Sequence, residues 1–116
     1  MKLPFADRAE ISDAKLRNYL LSPSHPDGGG KAAFFLRHGF TTDALEVFRA
    51  ALMQHAAEND VSYTEPSPFG TRYVIDGILH APGGKQLWIR VVWFVDMGGN
   101  VSRLVTAYPL KRKKHD

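Results

Sequence analysis

From Val61 onward the chain reads VSYTE (61–65), TRYVIDGIL (71–79), KQLWIRVVWFV (85–95) and VSRLVTAY (101–108), joined by PSPFG (66–70), HAPGG (80–84) and DMGGN (96–100). The four runs are rich in β-branched and aromatic residues with a period near two, and each connector carries the glycine or proline that tight turns need. Short connections between successive strands favour an antiparallel meander. The third run is the most apolar and is expected at the centre of the sheet. Leu87, Ile89, Val91, Trp93 and Val95 share the face expected to lie under helices, and Trp88, Arg90, Val92 and Phe94 share the other. Gly77, inside the second run, predicts a bulge or a close backbone approach.

Ahead of the strands the period lengthens to that of helices. Ile11, Leu16, Tyr19 and Leu20 recur at near-helical spacing behind Ser12 and Asp13, either of which can cap, and the segment stops at the turn-rich SPSHPDGGG (22–30). KAAFFLRHGF (31–40) predicts a two-turn helix from Lys31 to His38, with Gly39 at its left-handed end. A third helix opens at Thr42 or Asp43, where Asp43 and Glu46 have the spacing of a capping box. Leu45, Phe48, Leu52 and Ala56 line its buried face until Glu58, Asn59 and Asp60 end the pattern. Helices segregated before strands give an α+β fold: three N-terminal helices followed by a four-stranded antiparallel meander sheet. Residues 1–110 form a single domain, and 111–116 are a basic C-terminal tail.

Composition agrees with one modest core, since 116 residues are 44% hydrophobic and 23% charged. The absence of cysteine excludes disulfides, thiolate metal sites and cysteine nucleophiles. No stretch approaches the roughly 20 apolar residues of a membrane helix, and MKLPFADRAE meets proline and charge before a signal-peptide core could form. A cytoplasmic protein without membrane association is expected. The net charge of +3 comes from the tail, because KRKKHD (111–116) holds four bases and one acid and leaves eleven of each elsewhere. Attraction to nucleic acid must then come from that tail or from local patches.

Arg90 beside Trp88 on the uncovered face is suited to phosphate recognition with base or ribose stacking, and equally to an arginine packed over an indole. Strand register decides its company. An odd-numbered loop at Gly98–Asn100 sets Arg90 opposite Tyr108 and Val92 opposite Thr106, which assembles a phosphate site. An even loop of Gly98 and Gly99, favoured by two adjacent glycines, sets Arg90 opposite Ala107 and scatters it. Both registers stay open at this level.

His25, His38, His55, His80 and His115 are the acid and base candidates near neutral pH, and none has ligand-pair spacing. No metal site and no cofactor are expected. His25 stands out because it precedes Lys31 at a helix start, where amide donors and a cation could hold an anion; His55 and His80 read as structural. GGGKAA (28–33) lacks the preceding strand and the Ser or Thr of a P-loop.

Five phrases in order, KLRNYLL (15–21), the His-Pro and glycine-rich loop into KAAFF (31–35), Gly39-Phe40, GTRYV (70–74) and RLVTAYP (103–109), resemble a small bacterial family of domains of unknown function, DUF6883. The order of helix, lysine-led helix and four-stranded sheet is similar to that of the ribonuclease toxins grouping barnase, EndoU, colicin and RelE folds, including carboxyl-terminal toxin domains of contact-dependent systems. That resemblance implies metal-independent RNA cleavage, in which the ribose 2′-hydroxyl attacks its own phosphodiester. His25 would do acid or base work, Lys31 and Arg90 would supply charge to the phosphate, and Thr106 and Tyr108 would hydrogen-bond or orient. Tyr108 could act as a base only if Lys31 or Arg90 lowered its pKa from about 10. Trp88, Arg103, Lys111 and Arg112 would contact the RNA. The chain opens on its own methionine and reads as a free-standing toxin of a toxin–antitoxin module, with an antitoxin or immunity protein as partner and homo-oligomer formation left open.

A noncatalytic binding protein is the alternative: an antitoxin, immunity protein or adaptor docking through the uncovered sheet face. Trp88, Phe94 and Tyr108 would then be interface anchors.

Overall fold

The computed structural model describes residues 1–27 and 29–111. Its sheet has the order β1-β2-β3-β4, with β1 at Tyr63–Ser67, β2 at Gly70–His80, β3 at Gln86–Asp96 and β4 at Arg103–Pro109, every neighbouring pair antiparallel. This is the expected meander. β3 is interior, and its alternation sorts as the sequence implied: Leu87, Ile89, Val91 and Trp93 join the core beneath the helices. Val74 and Val92, in the middle of the opposite face, are also buried.

The helices depart further from expectation. The first begins as a single α turn, α1, at Asp13–Lys15, where the Ser12 hydroxyl accepts from the Lys15 amide at 3.0 Å. It then widens into a π turn at Leu16–Leu20, closed by the Leu21 amide on the Leu16 carbonyl at 2.9 Å. Leu16 and Leu20 are fully buried, so the apolar spacing is honoured although the regular α-helix is not. Helix α2 spans Gly29–Arg37 and buries Ala32 and Phe35. Gly39 follows with φ 99°, a left-handed geometry that a side chain resists.

The third helix has a 3-10 turn at Thr42–Ala44 before α3 proper at Leu45–Glu58. The expected capping box of Asp43 and Glu46 does not form, because the intervening turn moves the helix start to Leu45 and neither start carries a side-chain cap. Packing against the sheet holds this helix instead. Phe48 lies 4.9 Å from Phe35 and 4.6 Å from Phe40 between ring centroids, tying α3 to α2 and its exit loop.

Two details bear on the site. Gly77 is a place of close approach, since a Cβ there would collide with the side chain of Asn59. β4, a sheet edge, receives the N-terminal segment at one end: Glu10 donates to the Ser102 carbonyl at 2.7 Å and accepts from the Leu104 amide at 2.9 Å. The other end of β4 lies toward α2 and the π turn.

Candidate functional site

The register of β4 combines the two alternatives. Near the hairpin Phe94 faces Arg103 and Trp93 faces Leu104, as the even loop requires, but the register shifts between Val92 and Trp93. Val105 is the extra residue of this bulge. Beyond it Val92 faces Thr106 and Arg90 faces Tyr108, the pairing that brings the candidate residues together.

Around them the helices supply a cation and a second phenol. Lys31, in the first turn of α2, donates to the Tyr19 hydroxyl at 2.5 Å and to Thr106 Oγ1 at 3.2 Å. Tyr19 and Thr106 are themselves 3.0 Å apart, so the ammonium and two hydroxyls form a closed triangle. The Lys31 ammonium also lies 5.7 Å from the Tyr108 ring, and Lys15 Nζ sits 5.0 Å from the Tyr19 ring. Burial raises the Tyr19 pKa, but hydrogen bonds with Lys31 and Thr106 and the charges of Lys31 and Lys15 outweigh it and hold the phenol below its ordinary value. Tyr19 escaped the sequence reading because leucine-like spacing assigned it to a buried helical stripe.

A cleft of about 530 Å³ opens beside the triangle, lined by Asp27, Gly30, Lys31, Tyr108 and Pro109. The N-terminal end of α2 faces it, adding a partial positive charge to that of Lys31. His25 packs edge-on against Tyr19 with ring centroids 4.9 Å apart, and its Nδ1 accepts from the Asp27 amide at 3.0 Å. In that tautomer the ring's proton is on Nε2. Four sequence candidates, His25, Lys31, Thr106 and Tyr108, therefore converge, with Tyr19 among them.

Arg90 adjoins this group without offering it an open guanidinium fork. Its Nε and Nη2 bind the two carboxylate oxygens of Asp76 at 2.7 and 2.9 Å, and its guanidinium stacks 5.4 Å from the Tyr63 ring. Asp76, with Tyr108 adding to it, holds the Arg90 pKa above the ordinary value. A carboxylate directly opposite on β2 thus already engages the guanidinium expected to supply charge to a phosphate. The sequence reading did not weigh Asp76, whose pairing depends on the β2–β3 register.

Of the expected RNA contacts, Trp88, Arg103 and Lys111 fall within the described residues. Trp88 is two residues from Arg90 on the same face of β3 and opposite Ile78. Arg103 stands at the far end of β4, five residues and roughly 16 Å from Tyr108, where it pairs with Asp96 at 3.1 Å and covers the Phe94 ring at 5.1 Å. Lys111 is exposed just past β4, and Arg112 lies outside the described residues. No helix of the described residues is long and apolar enough to cross a membrane.

Residues 2–111 match the family model for a domain of unknown function, DUF6883, and the chain belongs to that family. Among solved structures, the fold is similar to a chain of a contact-dependent growth inhibition toxin–immunity protein complex from Klebsiella pneumoniae 342, with TM-score 0.71 and 14% identity over 93% of this chain and 98% of that one. No curated protein sequence matches.

Proposed function

We propose that this member of the DUF6883 family is a metal-independent endoribonuclease toxin that cleaves RNA through attack of a ribose 2′-hydroxyl on the adjoining phosphodiester. The observation that carries the reading is the Lys31 ammonium, fixed by Tyr19 and Thr106 at a cleft also lined by Tyr108. An ammonium beside a helix N-terminus is suited to the extra negative charge of a five-coordinate phosphate, and oriented hydroxyls beside it need no reorganisation when that charge appears. Asp27 also lines the cleft, and because its carboxylate repels a phosphate, the reading seats the phosphate against Lys31 and Tyr108.

In this reading Lys31 binds the phosphate, Thr106 orients the ammonium, and Tyr108 flanks the RNA chain with its ring. His25 supports the Tyr19 ring. Arg90 is a positioning residue, locked by Asp76 and steadying Tyr108. Trp88, Arg103, Lys111 and Arg112 are the further RNA contacts of this reading, Arg103 standing at the far end of β4. RNA as substrate implies action in the cytoplasm. The structural relative, a toxin–immunity protein complex, supports a setting in which a cognate antitoxin or immunity protein covers the site.

A second reading, a noncatalytic toxin partner docking through its sheet, draws on the hairpin end of the molecule. Phe69 and Met97 are 79% and 68% exposed there, and Phe94 lines a shallow hollow with Arg72, Arg103 and Val105. Incubating the purified protein with total bacterial RNA in a chelator separates the two. The nuclease reading expects fragments ending in 2′,3′-cyclic phosphate, produced by the wild type and lost in Lys31→Ala. Intact RNA, with capture of a defined partner blocked by Phe69→Asp, supports the docking reading.

A further inference from the structure

We propose that Tyr19 is the general base of this site, its phenolate oxygen taking the proton of the attacking 2′-hydroxyl. The assignment rests on the ribonuclease reading and adds to it a residue and a proton path.

The geometry singles out one oxygen. A base for this step must stand beside the cation that holds the phosphate, because the 2′-hydroxyl and the phosphorus are neighbours on one nucleotide. The Tyr19 hydroxyl meets that condition, at 2.5 Å from Lys31 Nζ. Other groups around the triangle are less suited. Thr106 has an alcohol hydroxyl, which is a very weak acid and therefore poorly populated as a base. Arg90 and Lys31 are cations. The His25 imidazole turns its Nδ1 to the Asp27 amide and meets Tyr19 through its ring edge.

Three surroundings favour the anionic phenol. Lys31 and Thr106 can both donate to the oxygen, and Lys15 lies over the ring on the side of the same helical segment. The π turn at Leu16–Leu20 carries Tyr19, while its neighbours Leu16 and Leu20 stay fully buried and anchor the turn. Such widened turns recur at functional sites, where they re-aim one side chain without unwinding the helix.

The step balances as follows. The phenolate takes the 2′-hydroxyl proton, the 2′-oxygen forms a bond to phosphorus, and the bond from phosphorus to the 5′-oxygen breaks. The departing 5′-oxygen takes a proton from water, leaving a 2′,3′-cyclic phosphate, a 5′-hydroxyl and a neutral Tyr19. Solvent hydroxide then removes the phenolic proton and restores the base. No oxidant or metal enters.

The test compares wild type with Tyr19→Phe on total bacterial RNA across pH, alongside binding of an uncleavable 2′-O-methyl RNA oligomer. Wild-type cleavage should rise with pH to a plateau, whereas Tyr19→Phe should lose at least about 100-fold in rate and the rising limb with it, the size expected for removing a general base. Binding of the 2′-O-methyl oligomer should fall far less than the rate does, since the Lys31 ammonium that meets the phosphate keeps Thr106 as a partner. An ultraviolet difference titration of the wild type, which needs no active variant, should contain one phenol ionising ahead of the others and absent from Tyr19→Phe. Cleavage by Tyr19→Phe at near wild-type rate with an unaltered pH profile would overturn the assignment and leave the nuclease reading standing. RNA left intact by the wild type overturns both.

Discussion

The Lys31 ammonium and the Tyr19 hydroxyl, twelve residues apart in sequence, meet at 2.5 Å across the loop that joins the π turn to α2. The contact sets a cation that lines the cleft beside a phenol held below its ordinary pKa. Each alters the other's chemistry: the ammonium stabilises the phenolate, and the phenol oxygen fixes the ammonium. Removing the ammonium as Lys31→Met should return the Tyr19 phenol upward toward its ordinary value, read as a later ionisation in an ultraviolet titration. An unchanged titration would mean that Lys15 and Thr106 alone account for the lowered value.

Arg90 and Asp76 form a two-point ion pair across β2 and β3, with side chains 25% and 21% exposed. A charge left alone in such a place costs more than the pair contributes. Asp76→Ala should therefore destabilise the fold by about 2–4 kcal/mol in urea unfolding, and the double variant Asp76→Ala with Arg90→Met should recover about half of that loss. Additive losses would indicate that the two side chains stabilise the sheet independently.

His55 is 1% exposed beneath the sheet, and neither ring nitrogen makes a hydrogen bond of normal geometry, although the carbonyls of Gly77 and Ile89 stand close enough to favour its protonation. Burial, opposed by those carbonyls and by the charges of Asp76 and Glu58, holds its pKa below the ordinary 6.5. The unfolded chain thus binds the proton more readily. Stability should be level above about pH 6.5 with respect to this group and fall as pH drops from there toward the folded-state value. His55→Phe should flatten this part of the pH–stability curve, which urea midpoints at several pH values would measure.

Gly77→Ala should cost about 1–3 kcal/mol, the range for overfilling a packed site, because the new methyl meets the Asn59 side chain. Asn59 itself donates to the His55 carbonyl at 2.9 Å at the end of α3. Combining Gly77→Ala with Asn59→Gly should regain part of the loss in thermal unfolding. No regain would locate the strain in the β2 backbone.

The strands were legible because their period of two and their glycine-bearing turns are local signals, and the face of β3 that carries Ile89, Val91 and Trp93 followed directly. The helix ends were less so. A 3-10 turn ahead of Leu45 and a π turn after Lys15 depend on how each segment meets the core, which composition does not encode. Among site residues, Lys31, Thr106 and Tyr108 could be named from sequence, but whether they converge hinged on a bulge at Val105 that even and odd loop counting could not distinguish. Asp76 and Tyr19 were passed over for the same reason: their partners, Arg90 and Lys31, are neighbours only in three dimensions.

The central claim is that the Lys31 cleft cleaves RNA, and induced expression in a bacterial host tests it most directly. Wild type would be compared with Lys31→Ala and Arg90→Ala, following growth and total RNA integrity, with soluble protein and circular dichroism checked for each. The account predicts growth arrest with discrete RNA fragments for the wild type, full relief in a folded Lys31→Ala, and partial activity in Arg90→Ala if it folds. Healthy cells with intact RNA, at soluble wild-type levels confirmed by blotting, would contradict it.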